Sequence, residues 1–237
     1  MEHLSRQYDA DLEAIRSRVM QMGGLVEAQI LAAIEAFATG NVELSAQVTE
    51  GDRRVNSYEV EIDEACAHVV ARRQPAAGDL RLIMAVSKIV TDLERTGDEA
   101  EKIARMSRQI HERDRLQIPR AADVRHAGEL AVAMLRRVLD ALARLDAPEA
   151  ERIIAEDATI DDAFRGIVRQ LVTYMMEDPR TISTALDIVW IAKAIERIGD
   201  HAKNVAEQII YIVHGTDVRH TAREASRYGQ GEPDGAE

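Results

Sequence analysis

The sequence predicts an all-α protein, with six long helices arranged as two similar antiparallel three-helix bundles. Three observations lead there. Apolar residues recur three or four positions apart along most of the 237 residues, the period of a helix that buries one face. Aromatics are only 3% of the residues, with 13 glycines and 5 prolines, a balance that suits a core of Leu, Ile, Val, Ala and Met rather than a sandwich or barrel. Finally, the stretch Glu94-Arg95-Thr96-Gly97-Asp98-Glu99-Ala100 returns 102 positions later as Glu196-Arg197-Ile198-Gly199-Asp200-His201-Ala202, keeping Glu-Arg-x-Gly-Asp-x-Ala.

Each helix has its own row of apolar residues. Leu4, Tyr8, Leu12, Ile15, Val19, Met22, Val26, Ile30, Ile34 and Phe37 predict a first helix over 4–38, stopped by Gly40-Asn41. The second carries a seven-residue repeat, Val48, Val55, Ile62 and Val69, which implies coiled-coil-like packing until Pro75 ends it. Leu82, Val86, Ile89, Leu93, Ala100, Ile103 and Ile110 mark the third, which ends before a polar stretch leading to Pro119. Val124, Leu130, Met134, Val138, Leu142 and Leu145 mark the fourth, closed by the turn Asp146-Ala147-Pro148. A single fifth helix is expected through Ile153, Ile160, Phe164, Ile167, Leu171 and Met175, up to Glu177-Asp178-Pro179. The sixth runs through Ile182, Leu186, Val189, Ile195, Ile198, Val205, Ile209 and Ile212 to Gly215. Short turns force neighbours to pack antiparallel. The expected organisation is one repeat over 1–115, a second over 116–215, and a tail over 216–237 without apolar period that reads as disordered.

The formal charge of −12 and a pI near 5.1 argue against a nucleic-acid partner, because phosphate contacts need a concentrated basic surface. Cys66 is the only cysteine, so an internal disulfide is impossible, the cytosol is the natural compartment, and the thiol is expected to fill helix packing. The first residues include Glu2, Arg6, Asp9, Asp11 and Glu13 and do not read as a signal peptide. No run of 18 uncharged apolar residues occurs, so any membrane contact is expected through partner proteins.

The acids carry the chemistry. Glu94 and Asp98, like Glu196 and Asp200, stand four apart and project from one helix face. On the second helix Asp52, Asn56, Glu59 and Asp63 form a polar stripe beside the apolar seam. With a turn near Ala76, equal rise on both strands of the hairpin sets Glu59 level with Glu94 and brings Asp98 close to Asp52. With a turn near Pro179, Asp157 and Asp161 come level with Asp200 and Glu196 in the same way. Asn204 is expected to extend the second stripe and His201 to sit at its rim. Adjacent carboxylates repel by about 4 kcal/mol per close pair at an effective dielectric near 20, so either cations neutralise them or they point away. Oxygen-only ligation favours magnesium, calcium, manganese or iron, divalent or ferric, ahead of zinc. Gly97 and Gly199 are expected to admit a neighbouring helix closely. The plainer alternative is a set of solvated acids paired along the helix with Arg95, Lys102, Arg197 and Lys203.

These motifs, with Val60-Glu61-Ile62-Asp63-Glu64-Ala65-Cys66 and Gln74-Pro75-Ala76-Ala77-Gly78-Asp79-Leu80-Arg81 between them, resemble the PhoU family over about residues 5–214. The resemblance implies two three-helix bundles, metal ions on Glu94, Asp98, Glu196 and Asp200, and frequently a homodimer. It also implies negative regulation of the phosphate-starvation response, between the ATPase subunit of the high-affinity phosphate ABC transporter and a phosphate-sensing histidine kinase. Asp52, Glu59, Asp63, Asp157 and Asp161 are further ligand candidates from the facing-helix argument. The first copy departs from the second at Thr96 and Glu99, and Asn56 stands where the second half offers Asp161, so the first site is expected to bind metal more weakly or with different nuclearity. The leading functional expectation is a non-enzymatic adaptor. The rival, a carboxylate-bridged di-iron oxidase or ferroxidase, pairs Glu with His three residues later, and that spacing is absent from the chain. A metal-free scaffold whose acids serve solubility is the third reading.

Overall fold

The computed structural model describes residues 2–113 and 121–218, which are helical apart from short connections. Helix α1 spans Glu2–Thr39, α2 Val42–Arg73 and α3 Ala77–Arg113. The second set is α4 Ala121–Arg144, α5 Ala147–Glu156, α6 Ala158–Glu177 and α7 Ile182–His214. No strand is present among the described residues. The segment 114–120, with Pro119, and residues 219–237 of the expected tail lie outside them; residues 216–218 continue past α7 without regular structure.

The helix ends follow local chemistry. α1 stops at Gly40, whose φ of +71° is the left-handed cap that glycine adopts without strain. Asn41 then opens α2 by accepting a hydrogen bond from the Leu44 N–H at 2.9 Å. Gln74 closes α2 immediately before Pro75. Asp146 caps α5 by accepting from the Glu149 N–H at 3.0 Å, with Pro148 in the first turn. The fifth helix of the sequence reading is not continuous: Asp157 divides it into α5 and α6. There the Ile160 N–H reaches the Asp157 carbonyl at 3.2 Å in a tightened i to i+3 turn, and the Asp157 carboxylate goes across to Lys203 on α7 at 2.6 Å. Neither Pro nor Gly marks that break, and its ion pair comes from a distant helix.

The apolar rows are the core. Ile15, Val19, Met22, Val26, Ile30 and Phe37 of α1 are buried, as is every member of the α2 row Val48, Val55, Ile62 and Val69. Cys66 lies in the same wall; burial pushes its thiol up to about 11, with the Asp63 charge adding, so it packs rather than reacts. By length and composition Arg6–Thr39 could cross a bilayer, yet its apolar face is the one packed into this core.

The two bundles, α1–α3 and α4–α7, lie side by side and share one continuous core. α3 against α7 is the most extensive helix–helix contact in the molecule, and α1 against α4 is the second line along which the bundles meet. The central pair α3 and α7 are the helices that carry the repeated motif.

Phe37 is fully buried and Met176 is 80% exposed. Phe37→Ala is expected to lower unfolding free energy by about 3–5 kcal/mol, while Met176→Ala stays within about 0.5 kcal/mol, as read from urea denaturation curves.

Candidate metal-binding seams

Two hydrogen bonds fix the register of α2 against α3: Ser87 Oγ donates to Asp63 Oδ1 at 2.8 Å, and Thr91 Oγ1 donates to Glu59 Oε1 at 3.4 Å. A step of four residues along α3 matches a step of four back along α2, so Glu94 and Asp98 follow over the stretch from Asn56 to Asp52. Burial pushes the Glu94 carboxyl up, and the charges of Asp98, Glu59 and Asp52 push it further against Arg95. Asp52 is likewise pushed up by burial and by Asp98, opposed by the Asn56 amide, which donates to its Oδ2 at 3.2 Å. The charges of Asp98, Glu59 and Asp52 thus reach Glu94, although Glu94 stands level with Asn56 and it is Thr91 that stands level with Glu59, about three residues off the register that equal rise predicts.

Asp63 does not join them. It stands eleven residues along α2 from Asp52, about 16 Å of helix rise, and its Oδ1 is taken by Ser87. Sharing a stripe put it on the right face of α2 but beyond the reach of the α3 pair.

Gly97 makes the close approach possible. A Cβ there would lie 3.2 Å from Val55 Cγ1 and 3.5 Å from both Asp52 Oδ1 and Gln29 Oε1. Asp52 Oδ1 is itself buried without a hydrogen-bond partner. Gly199 plays the matching part in the second bundle, where a Cβ would lie 2.9 Å from Ile160 Cδ1 on α6.

In the second seam Glu196, Asp157 and Asp161 come within Coulombic range of Asp200. Asp200, exposed overall, is pushed up by partial burial and then by Glu196, Asp157 and Asp161, with Lys193 opposing. This seam carries its own cations: Lys203 on Asp157, Lys193 on Glu196, and Arg165 at 3.5 Å from Asp161. The first seam has no such ion pair on Asp52, Glu59 or Glu94 among the described residues.

Among the described residues, no three His, Cys, Asp or Glu side chains close into a metal-holding group. The acids are gathered into open seams within Coulombic range of one another. The donor set nonetheless fits a hard cation: it is all oxygen, it includes an unpartnered buried carboxylate oxygen, and glycine leaves room beside it.

Pairing along the helix forms in the second seam, through Lys193 on Glu196 and Arg165 on Asp161, but the cations expected for it do not reach the motif acids. Lys203 crosses to the α5–α6 break, while Lys102 and Arg197 both reach Glu99, at 3.3 and 2.7 Å. Arg197 thus joins the two bundles.

The sequence reading missed this inter-bundle network. Asp92 is 8% exposed, and its Oδ1 receives both His201 Nδ1 and Asn204 Nδ2 at 2.9 Å. His201 is therefore not at the rim of the second seam, and Asn204 does not extend it; both turn from α7 onto α3. Glu99, 7% exposed, is held by Arg197 and Lys102. A signal was present: Glu99 and His201 occupy matching places in the two motif copies, and one of the positions where the copies differ faces the opposite bundle. Two equal carboxylates there would meet a helix that needs a complementary partner.

The model of the PhoU domain matches residues 19–107 and 124–209, one motif copy in each segment. The chain belongs to the PhoU family. It is 50% identical over 219 residues to the phosphate-specific transport system accessory protein PhoU homolog of Pseudomonas aeruginosa, covering 92% of this chain and 90% of that one. It is 48% identical over 219 residues to the accessory protein PhoU of Escherichia coli K12, at 92% and 90% coverage. The crystal structure of PhoU from Pseudomonas aeruginosa superposes with a TM-score of 0.85, at 48% identity over 88% of this chain and all of that one. The phosphate transport system regulatory protein PhoU from Streptococcus pneumoniae gives 0.82 at 25% identity, over 89% and 99%. The predicted PhoU architecture is the one these solved structures share.

The acid seams give a pH signature with a definite sign. Asp52, Asp200 and Glu94 bind protons more tightly when folded than at their ordinary values of 3.8 and 4.5. Above those values the folded state holds the extra protons, so stability falls as pH rises through the raised folded values. Asp11, Glu156 and Asp178 are held below their ordinary values and change stability only on the more acidic side. Thermal melts in chelator are expected to show the midpoint dropping as pH rises above the ordinary carboxylate values, with a shallower drop for Asp52→Asn. An unchanged slope in that variant contradicts the seam.

Proposed function

We propose that this protein is a metal-binding, non-enzymatic adaptor of the phosphate transport system. In this reading it acts in the cytoplasm as a homodimer. It modulates phosphate uptake and represses the phosphate-starvation response by linking the transporter's ATPase subunit to the sensor histidine kinase. Support for the transport role comes from relatives at up to 50% identity that are named accessory proteins of phosphate-specific transport. The metal role rests on one observation, the gathering of four carboxylates within Coulombic range in a seam of each bundle.

Asp52, Glu59, Glu94 and Asp98 would hold a cation in the first seam, and Asp157, Asp161, Glu196 and Asp200 in the second. Bound there, a divalent or ferric ion, whether magnesium, manganese, iron or zinc, supplies positive charge to carboxylates that otherwise repel. The chain's own residues do the rest: the acids lie on facing helices, so neutralising them draws α2 toward α3 and α6 toward α7. The outer faces of those helices then hold one arrangement for a partner. An exposed apolar row on α7, Ile182, Leu186 and Trp190, is surface of the kind a partner protein covers.

Elemental analysis of protein purified without chelator is expected to find metal in the wild type and loss of most of it in Asp98→Ala plus Asp200→Ala, with helicity retained. Full metal content in that variant removes the site assignment. For the adaptor role, metal-loaded and chelated protein are expected to differ several-fold in affinity for the transporter's ATPase subunit. Equal affinities break the link between metal and docking.

A further inference from the structure

Gln29 on α1 is 5% exposed, and neither its amide oxygen nor its amide nitrogen has a hydrogen-bond partner. A buried amide with both ends unmade is rare in folded proteins and marks a missing partner. Its location says which kind. Tyr58 OH donates to Gln21 Oε1 at 3.4 Å, a contact that sets the antiparallel register of α1 against α2 and brings Gln29 level with Gly51. A Cβ on Gly51 would lie 3.1 Å from Gln29 Nε2, and a Cβ on Gly97 would lie 3.5 Å from Gln29 Oε1. The same Gly97 position is 3.5 Å from Asp52 Oδ1, another unpartnered buried oxygen of this bundle. Two orphaned oxygens on two helices thus border one gap that two glycines keep open.

We propose that Gln29 is a ligand of the first seam from the third helix of the bundle, its Oε1 offering a neutral oxygen to the cation held by Asp52, Glu94 and Asp98. The inference rests on the metal reading of that seam and adds a residue outside the acid motif. It also accounts for a difference between the bundles. In the second, α4 buries only apolar residues and glycine, and three of the four acids have their own cations. In the first, Asn56 replaces an acid and α1 contributes a buried amide instead. Gln29 adds a donor oxygen without adding charge, where the carboxylates alone do not close a three-ligand group among the described residues.

The test uses the full chain stripped of metal, with Asp200→Ala in every sample so that the first seam dominates a calorimetric titration with Mn²⁺. Gln29→Met, of similar volume but without a strong oxygen donor, is expected to weaken Mn²⁺ binding about tenfold or more. Gln29→Glu is expected to bind as well as the parent or better. Gln29→Met should also melt no lower than its parent in chelator, because it removes an unpaired amide, while its metal-induced rise in melting temperature shrinks. If Asp52→Ala abolishes binding while Gln29→Met binds like its parent, the Gln29 role is overturned and the seam stands. If Asp52→Ala leaves binding intact, the reading of the seam itself is what fails. Should Gln29→Met misfold, Gln29→Glu decides alone: weaker binding than the parent overturns the proposal.

Discussion

Carboxylates of like charge held together at a helix seam are the constraint around which the rest of this molecule is arranged. Acids on α2 and α3, and on α6 and α7, face each other because an apolar row beside each acidic stripe must be buried, and burying it carries the stripe into the seam. Leu93 and Ile195 are essentially fully buried, each directly before a motif Glu. The repulsion that follows is tied to packing that the fold cannot give up. Glycine at the crossing tightens the arrangement, since Gly97 and Gly199 let the partner helix approach where a methyl group would meet Val55 or Ile160.

The two seams meet this constraint differently. The second carries lysine and arginine partners on Asp157, Glu196 and Asp161, so part of its charge is compensated by the chain itself. The first has amide and hydroxyl neighbours: Asn56 on Asp52, Thr91 on Glu59, and the unpartnered Gln29. Neutral groups solvate a carboxylate but do not cancel its charge. A duplicated chain has thereby acquired one seam that is partly self-neutralised and one that depends more heavily on something supplied from outside.

A second consequence lies between the bundles. α3 and α7 carry the seams on one side and pack against each other on another, so a shift at either seam is felt along their shared contact. Asp92 with His201 and Asn204, and Glu99 with Arg197, fix that contact through two buried carboxylates held by partners from α7. Such pairs add little net stability compared with apolar packing, but breaking one leaves an uncompensated buried charge, so they define one alignment of the two bundles.

The sequence by itself determined the helices, their buried faces, the duplication and most of each seam. Those features depend on local periodicity, on equal rise along both arms of a hairpin, and on turns that residues such as Gly40, Pro75 and Asp146 specify from nearby. It also placed Asp63 on the correct face, though not at the correct height. Only the tertiary structure decided that α3 lies against α7, that Asp157 interrupts a helix while pairing with Lys203, and that His201 and Asn204 turn toward Asp92. It alone brought Gln29 under Gly51 and Gly97. Each of these joins residues on helices that are not one simple hairpin, and the rotation of one helix about its axis relative to another is set by the packing of the whole core, which periodicity along a single helix does not contain.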